Sequence, residues 1–168
     1  MNARDIARGG LLAAAAVALL WVGSLSPWMG PAACILAGVS AAVPLLKHGK
    51  VKASVLLYLA SAVLAALIVP RKGLVAAYIA FTGLYPIVKY GIECRLPRKT
   101  QLFFKLLYFN LLLAAVAGAV AFGLFPQFAM PGTARLVMGW LIANAVFLVY
   151  DGGLSRLIAL LTRTLPPL

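Results

Sequence analysis

The sequence predicts an all-α, polytopic membrane protein: one transmembrane domain over 1–168, built as a six-transmembrane-helix bundle. Three observations point there. Hydrophobic residues make up 64% of the 168 residues and charged residues only 11%, with a mean hydropathy of +1.04. The apolar residues fall into six runs, each near the roughly 20 residues that cross a bilayer as a helix. The loops between the runs alternate between basic and nearly uncharged. A soluble domain of this size would leave much of its apolar surface in water, whereas a bilayer acts as the apolar solvent. Helices are expected in each run because hydrocarbon offers backbone polar groups no partner.

The first helix is predicted over 6–25, after Arg4 and Arg8 and before Pro27. Its length, the lack of a small-x-small cleavage site and the five runs that follow favour a retained anchor over a signal peptide. The second, over 30–46, is short. A basic loop holding Lys47, His48, Lys50 and Lys52 leads to the third helix, over 53–69. The tight turn Pro70-Arg71-Lys72-Gly73 makes the third and fourth helices an antiparallel hairpin. The fourth is predicted over 74–92, the fifth over 102–124 and the sixth over 134–154. Between the last two lies an uncharged loop containing Gln127.

Charge sets the orientation. With the amino terminus inside, the inner face holds Arg4, Arg8, Lys47, Lys50, Lys52, Lys89, Arg95, Arg98, Lys99, Lys105, Arg156 and Arg163, twelve of the 15 Lys and Arg residues. The outer face holds the other three, Arg71, Lys72 and Arg135. This asymmetry follows the positive-inside rule and predicts a multi-pass protein of a bacterial plasma membrane with both termini cytoplasmic. The net charge of +12 therefore reads as orientation and contact with anionic lipid headgroups rather than as a nucleic-acid surface. Cys34 and Cys94 fall in different segments and are expected as free thiols.

Polar groups at membrane depth are costly. Asn110 and Asn144 fall near mid-membrane, where they either bond each other as interhelical glue or line a polar pocket. Lys89, Glu93, Lys105, Asp151 and Arg156 gather near the inner ends of the last three helices. Two of the chain's three acids lie among these cations, which reads as a structural charge cluster stapling helices, with a proton or ion relay as the alternative. At the outer rim, Trp28, Arg71, Lys72, Tyr78, Gln127 and Arg135 either bind a small planar or anionic solute or serve as hairpin caps and interfacial anchors. Small residues recur every fourth position in the first helix, at Gly10, Ala14 and Ala18. Such stripes let helix backbones approach closely in lipid, either within the bundle or against an outside partner.

The chain carries a single histidine, no G-x-S-x-G serine, no P-loop and no clustered metal ligands. These readings predict neither an enzyme, nor a metal, nor a cofactor.

The opening from Asp5-Ile6-Ala7 through Ala14-x-x-x-Ala18, together with six short helices and an inside amino terminus, resembles the substrate-binding S components of energy-coupling-factor transporters. The rest of the chain is similar by layout alone, and the first outer loop, Ser26 to Gly30, is shorter than in many members. The resemblance implies a vitamin-like ligand bound near the outer face, with Trp28, Arg71, Lys72, Gln127 and Arg135 in the corresponding loops. It also implies a transmembrane T subunit docked on the Gly10, Ala14, Ala18 stripe and ABC ATPases as the energy source. The rival expectation is a non-catalytic accessory membrane protein that acts through helix contacts.

Overall fold

The computed structural model describes residues 3–123 and 132–164. Among them every regular element is helical: α1 (Ala3–Leu25), α2 (Gly30–His48), α3 (Val51–Ile68), α4 (Lys72–Ala77), a π-helical segment (Tyr78–Thr82), α5 (Tyr85–Arg95), α6 (Arg98–Ala121) and α7 (Thr133–Thr164). Five stretches are long and apolar enough to cross a membrane: 6–25, 51–68, 72–95, 98–121 and 133–160. The apolar part of α2, Gly30–Leu45, is shorter. Where the sequence predicts one domain, the chain divides into two compact units, one through Cys94 and the other beginning at Arg95.

The first unit centres on α1, α2 and α3. α1 turns Ala13, Ala16, Val17 and Leu20 inward. They meet Cys34, Ala37 and Ala41 of α2 and Leu57, Tyr58, Ala62 and Ala65 of α3, and Val69, Val75 and Tyr78 close the core. Small residues dominate this surface and let the helix backbones approach closely. At one crossing, a Cβ on Gly23 of α1 would overlap the Cβ of Ala33 in α2.

Local chemistry sets the helix ends. Pro31 lies in the first turn of α2, where its missing N–H costs no bond. Gly49 ends the helix at φ +59°, and the N–H groups of Gly49 and Lys50 close back onto the carbonyls of Leu45 and Pro44 at 3.1 and 3.3 Å. The Gly49 bond is the left-handed glycine closure of a helix end, which permits the tight turn into α3. At the other end of α3, the Lys72 ammonium donates to the carbonyl of Ala66 at 2.6 Å, satisfying one of the carbonyls a helix terminus leaves open.

The second unit is an antiparallel helix pair. Lys105 meets Asp151, Phe109 stacks on Phe147, and Asn110 meets Asn144, so ascending positions on α6 face descending positions on α7. α6 starts at Arg98, earlier than predicted. Pro97 stands extended at its N-cap, and Thr100 bonds the Pro97 carbonyl through both its N–H and its hydroxyl at 3.0 Å. α7 continues past the predicted end at 154 to Thr164 and runs straight through Gly152 and Gly153. At about 1.5 Å per residue its 32 residues extend roughly 48 Å.

Candidate functional site

The segment predicted as one helix over 74–92 is instead broken into α4, the π segment and α5. Pro86 supplies the cause. In an α-helix, residue 86 would donate its N–H to the carbonyl of Thr82. Proline has no N–H, and its ring crowds the carbonyl four residues back. The backbone widens ahead of it, and the Gly83 N–H reaches five residues back to the Tyr78 carbonyl at 2.8 Å, the bond that defines a π turn.

Widening releases carbonyls that neighbouring helices must meet. The Ile79 carbonyl, deprived of the Gly83 N–H, accepts the Tyr58 hydroxyl of α3 at 2.7 Å. The Thr82 carbonyl, deprived of a donor at Pro86, faces Gly38 of α2 so closely that a Cβ there would collide with its oxygen. Only a glycine admits that approach, which brings the Cα hydrogens onto the carbonyl as weak donors. One turn earlier, the Cys34 sulfhydryl donates to the Leu74 carbonyl at 3.6 Å.

Side chains complete the cluster. The Tyr78 and Ser61 hydroxyls bond at 2.7 Å, and Ser61 also donates to the Tyr58 carbonyl at 2.9 Å. The Tyr58 and Tyr78 rings lie 6.2 Å apart in a tilted arrangement. Lower in α3, Ser54 bonds the Ala41 carbonyl. The Thr82 hydroxyl is buried with no hydrogen-bond partner; the Cys34 sulfur beside it is at best a weak acceptor. Polar groups in an apolar interior are expected to be paired, so this hydroxyl is the exception in an otherwise satisfied cluster.

The sequence-predicted solute-binding residues fall in separate places. Trp28 is 92% exposed in the turn after α1. Arg71 and Lys72 are exposed at the α3–α4 turn, where the Arg71 guanidinium comes near Gly30, the first residue of α2 and next to the turn that carries Trp28. These three therefore share one end of the first unit. Tyr78, expected at that rim, is fully buried in the core. Its ring replaces the lipid-facing or pocket-facing position with packing against Tyr58, and its hydroxyl is committed to Ser61.

In the second unit, Asn110 donates to Asn144 at 2.9 Å and to its own helix at the Leu106 carbonyl at 2.8 Å. Asn144 also donates to the Trp140 carbonyl at 2.9 Å, and the Trp140 indole donates to the Asn110 side-chain oxygen at 2.5 Å. The glue alternative fits these amides better than the pocket, since their donors and acceptors are spent on one another. Arg135 is exposed near the start of α7. Gln127 lies outside the described residues.

The charge cluster resolves into two pairs. Lys89, 2% exposed, meets Glu93 one turn along α5 at 3.5 Å. Lys105 and Asp151 join α6 to α7 at 3.2 Å, with side chains 7% and 14% exposed. Arg156 is exposed on α7. The Lys105–Asp151 pair links α6 to α7, and the Lys89–Glu93 pair lies within α5. The stripe Gly10, Ala14 and Ala18 is exposed along α1, and no neighbouring atom lies within reach of a Cβ at Gly10. Cys34 is buried and Cys94 exposed, both as free thiols.

Sequence reasoning missed the break and the Tyr58–Ser61–Tyr78–Thr82 cluster around it. The signal was present: Pro86 stands four residues after Thr82, with Gly83 between them. In comparison with known proteins, the chain matches no protein-family model, no curated protein and no solved structure.

Proposed function

We propose that the chain is a six-span membrane protein with cytoplasmic termini that works as a non-catalytic subunit, docking a partner's transmembrane helix on the Gly10, Ala14, Ala18 face of α1. One observation carries this reading. α1 buries Ala13, Ala16, Val17 and Leu20 in its own core and leaves the small-residue stripe exposed. In lipid such a stripe favours close helix approach. Counting α2 as a sixth span rests on its place in the core between α1 and α3 and on the loop charges, which follow the positive-inside rule only with six crossings.

The test is a mild-detergent pull-down from native membranes, read by mass spectrometry, of the parent chain and of Ala14→Leu and Ala18→Leu. Both leucines would face lipid and leave the fold intact. A stoichiometric membrane partner that is lost from both variants supports the reading. A partner retained by both, or none at all, sinks it.

A second reading keeps the likeness to S components: a subunit that binds a vitamin-like solute outside and relies on a T subunit and ATPases for energy. The convergence of Trp28, Arg71 and Lys72 at one end of the first unit favours it. Against it, Tyr78, Asn110 and Asn144 are consumed by internal hydrogen bonds. A small molecule that co-purifies with the parent and is lost from Arg71→Gln would move the weight to this reading.

A further inference from the structure

We propose that the inner end of the α6–α7 pair is a binding site for the phosphate of an anionic phospholipid, held by Arg98 and Lys99 of α6 and Arg156 of α7. The proposal rests on the six-span reading above and on no part of the docking role of α1. Three contacts fix the register of the pair: Lys105 with Asp151, Phe109 with Phe147 and Asn110 with Asn144. Arg98 lies twelve residues before Asn110, and Arg156 twelve residues after Asn144. At about 1.5 Å per residue, both stand roughly 18 Å from the Asn110–Asn144 bond, level with each other on the two helices. Asn110 falls at the middle of the apolar stretch 98–121. Half of a hydrocarbon core is about 15 Å thick, so the three cations stand just past its edge, at the depth of lipid phosphates.

Within the described residues these charges are not offset. Asp151 is taken by Lys105 and Glu93 by Lys89. Arg98, Lys99 and Arg156 are all exposed, and none of them forms an ion pair with a described residue. Arg98 and Lys99 occupy the first turn of α6, which holds no acid. The positive end of the helix dipole therefore adds to their charge instead of offsetting it. An anion from outside the chain is what this end of the pair is built to receive.

The surface beside the cations says which anion. Leu102 and Phe103 follow Arg98 and Lys99 by four residues, on the same faces of α6 and one turn deeper in the membrane. They are 49% and 64% exposed. On α7, Gly152 and Gly153 lie one turn to the membrane side of Arg156, exposed and with nothing within 4 Å of an added Cβ. Cations at the rim over an apolar shelf match a molecule that carries both an anionic headgroup and acyl chains. Guanidinium groups pair with phosphate oxygens two bonds at a time. In a zwitterionic lipid the headgroup's own cation offsets that phosphate, so the preference is for lipids with net negative charge. A free phosphate would meet the cations and leave the shelf unused.

The experiment uses the full chain in a mild non-ionic detergent, mixed with equal amounts of phosphatidylglycerol and phosphatidylcholine. Native mass spectrometry counts the lipids that stay bound. The parent should prefer phosphatidylglycerol. Arg156→Gln should lower that preference about fivefold, the factor for one cation at an anionic surface, and the triple variant Arg98→Gln, Lys99→Gln, Arg156→Gln about a hundredfold. Lys52→Gln removes an exposed cation of the other unit and should leave the preference unchanged. Arg156→Gln alone decides the matter should the triple variant misfold. A parent without preference overturns the proposal. Equal losses in Arg156→Gln and Lys52→Gln also overturn it, because the attraction would then belong to net charge and not to a site. Inorganic phosphate that displaces the bound lipid at equal concentration would overturn the lipid assignment. Alkaline extraction of native membranes separates this proposal from the six-span reading. Release of the chain overturns both, whereas a chain that stays in the membrane and shows no lipid preference overturns this proposal alone.

Discussion

Replacing Asp151 with asparagine removes the carboxylate that the Lys105 ammonium meets, and the cost can be worked from the geometry. The pair is 3.2 Å apart and its side chains are 7% and 14% exposed, so solvent screening is slight. Removing one member of a buried pair in soluble proteins costs about 3–5 kcal/mol. A lone lysine at the centre of a membrane helix costs about 2.5–3.5 kcal/mol on insertion scales. Lys105 is not central: it stands seven residues after the start of α6 at Arg98, roughly 10 Å along the helix, and its stem can carry part of the charge toward the interface. These terms together place the cost of Asp151→Asn at about 2–3 kcal/mol. The double variant Lys105→Met, Asp151→Asn has no charge to strand, and the Phe109–Phe147 stack one turn away remains at 4.4 Å. It should recover all but about 1 kcal/mol. Equilibrium unfolding in mixed micelles, titrated with a denaturing detergent, reads both values. A single variant within about 0.5 kcal/mol of the parent, or a double variant as unstable as the single, would refute the view that this pair staples α6 to α7. An intact fold with altered proton or ion flux would restore the relay alternative.

Two further outcomes follow from close contacts. Gly38→Ala drives a Cβ into the Thr82 carbonyl and should destabilise by about 1–3 kcal/mol, whereas Gly10→Ala meets nothing within 4 Å and should be neutral or gain up to about 1 kcal/mol from helix propensity; thermal unfolding of the two variants side by side checks the contrast, and equal effects would contradict the placement of α2 against the π segment. A double-mutant cycle of Asn110→Ala and Asn144→Ala should return a coupling of about 0.6–1.7 kcal/mol, the range found for hydrogen bonds between membrane helices; a coupling of zero would mean that the two amides do not depend on each other.

How far the sequence reached differs from element to element. α1, α2 and α3 were legible because each is a predominantly apolar run, and a helix satisfies the backbone of such a run within the segment itself. The tight turn at Pro70–Gly73 was legible because its backbone demands are local, whereas the stop at Gly49 is seen only in the structure. The fate of Gly152 and Gly153 was not legible, since the same dipeptide that breaks a helix in water is carried through α7 here. Among the candidate site residues, depth alone singled out Asn110 and Asn144 and left open whether they bond each other or line a pocket; the bond between them is seen only in the structure. Tyr78 was expected at the outer rim; its place in the core depends on Tyr58 and Ser61 of another helix, which nothing in its own segment specifies.

By itself the amino-acid sequence determined the helical class, the approximate ends of most helices and the asymmetry of charge between loops, because each depends on composition or on a few neighbouring residues. Only the tertiary structure decided which face of α1 is covered, which carbonyls the break at Pro86 exposes, and that Tyr58 and Gly38 answer them. The physical reason is reach. A released carbonyl in an apolar interior has to be satisfied, yet nothing in its own segment says whether the answering group comes from α2 or from α3. That choice is made when the helices pack.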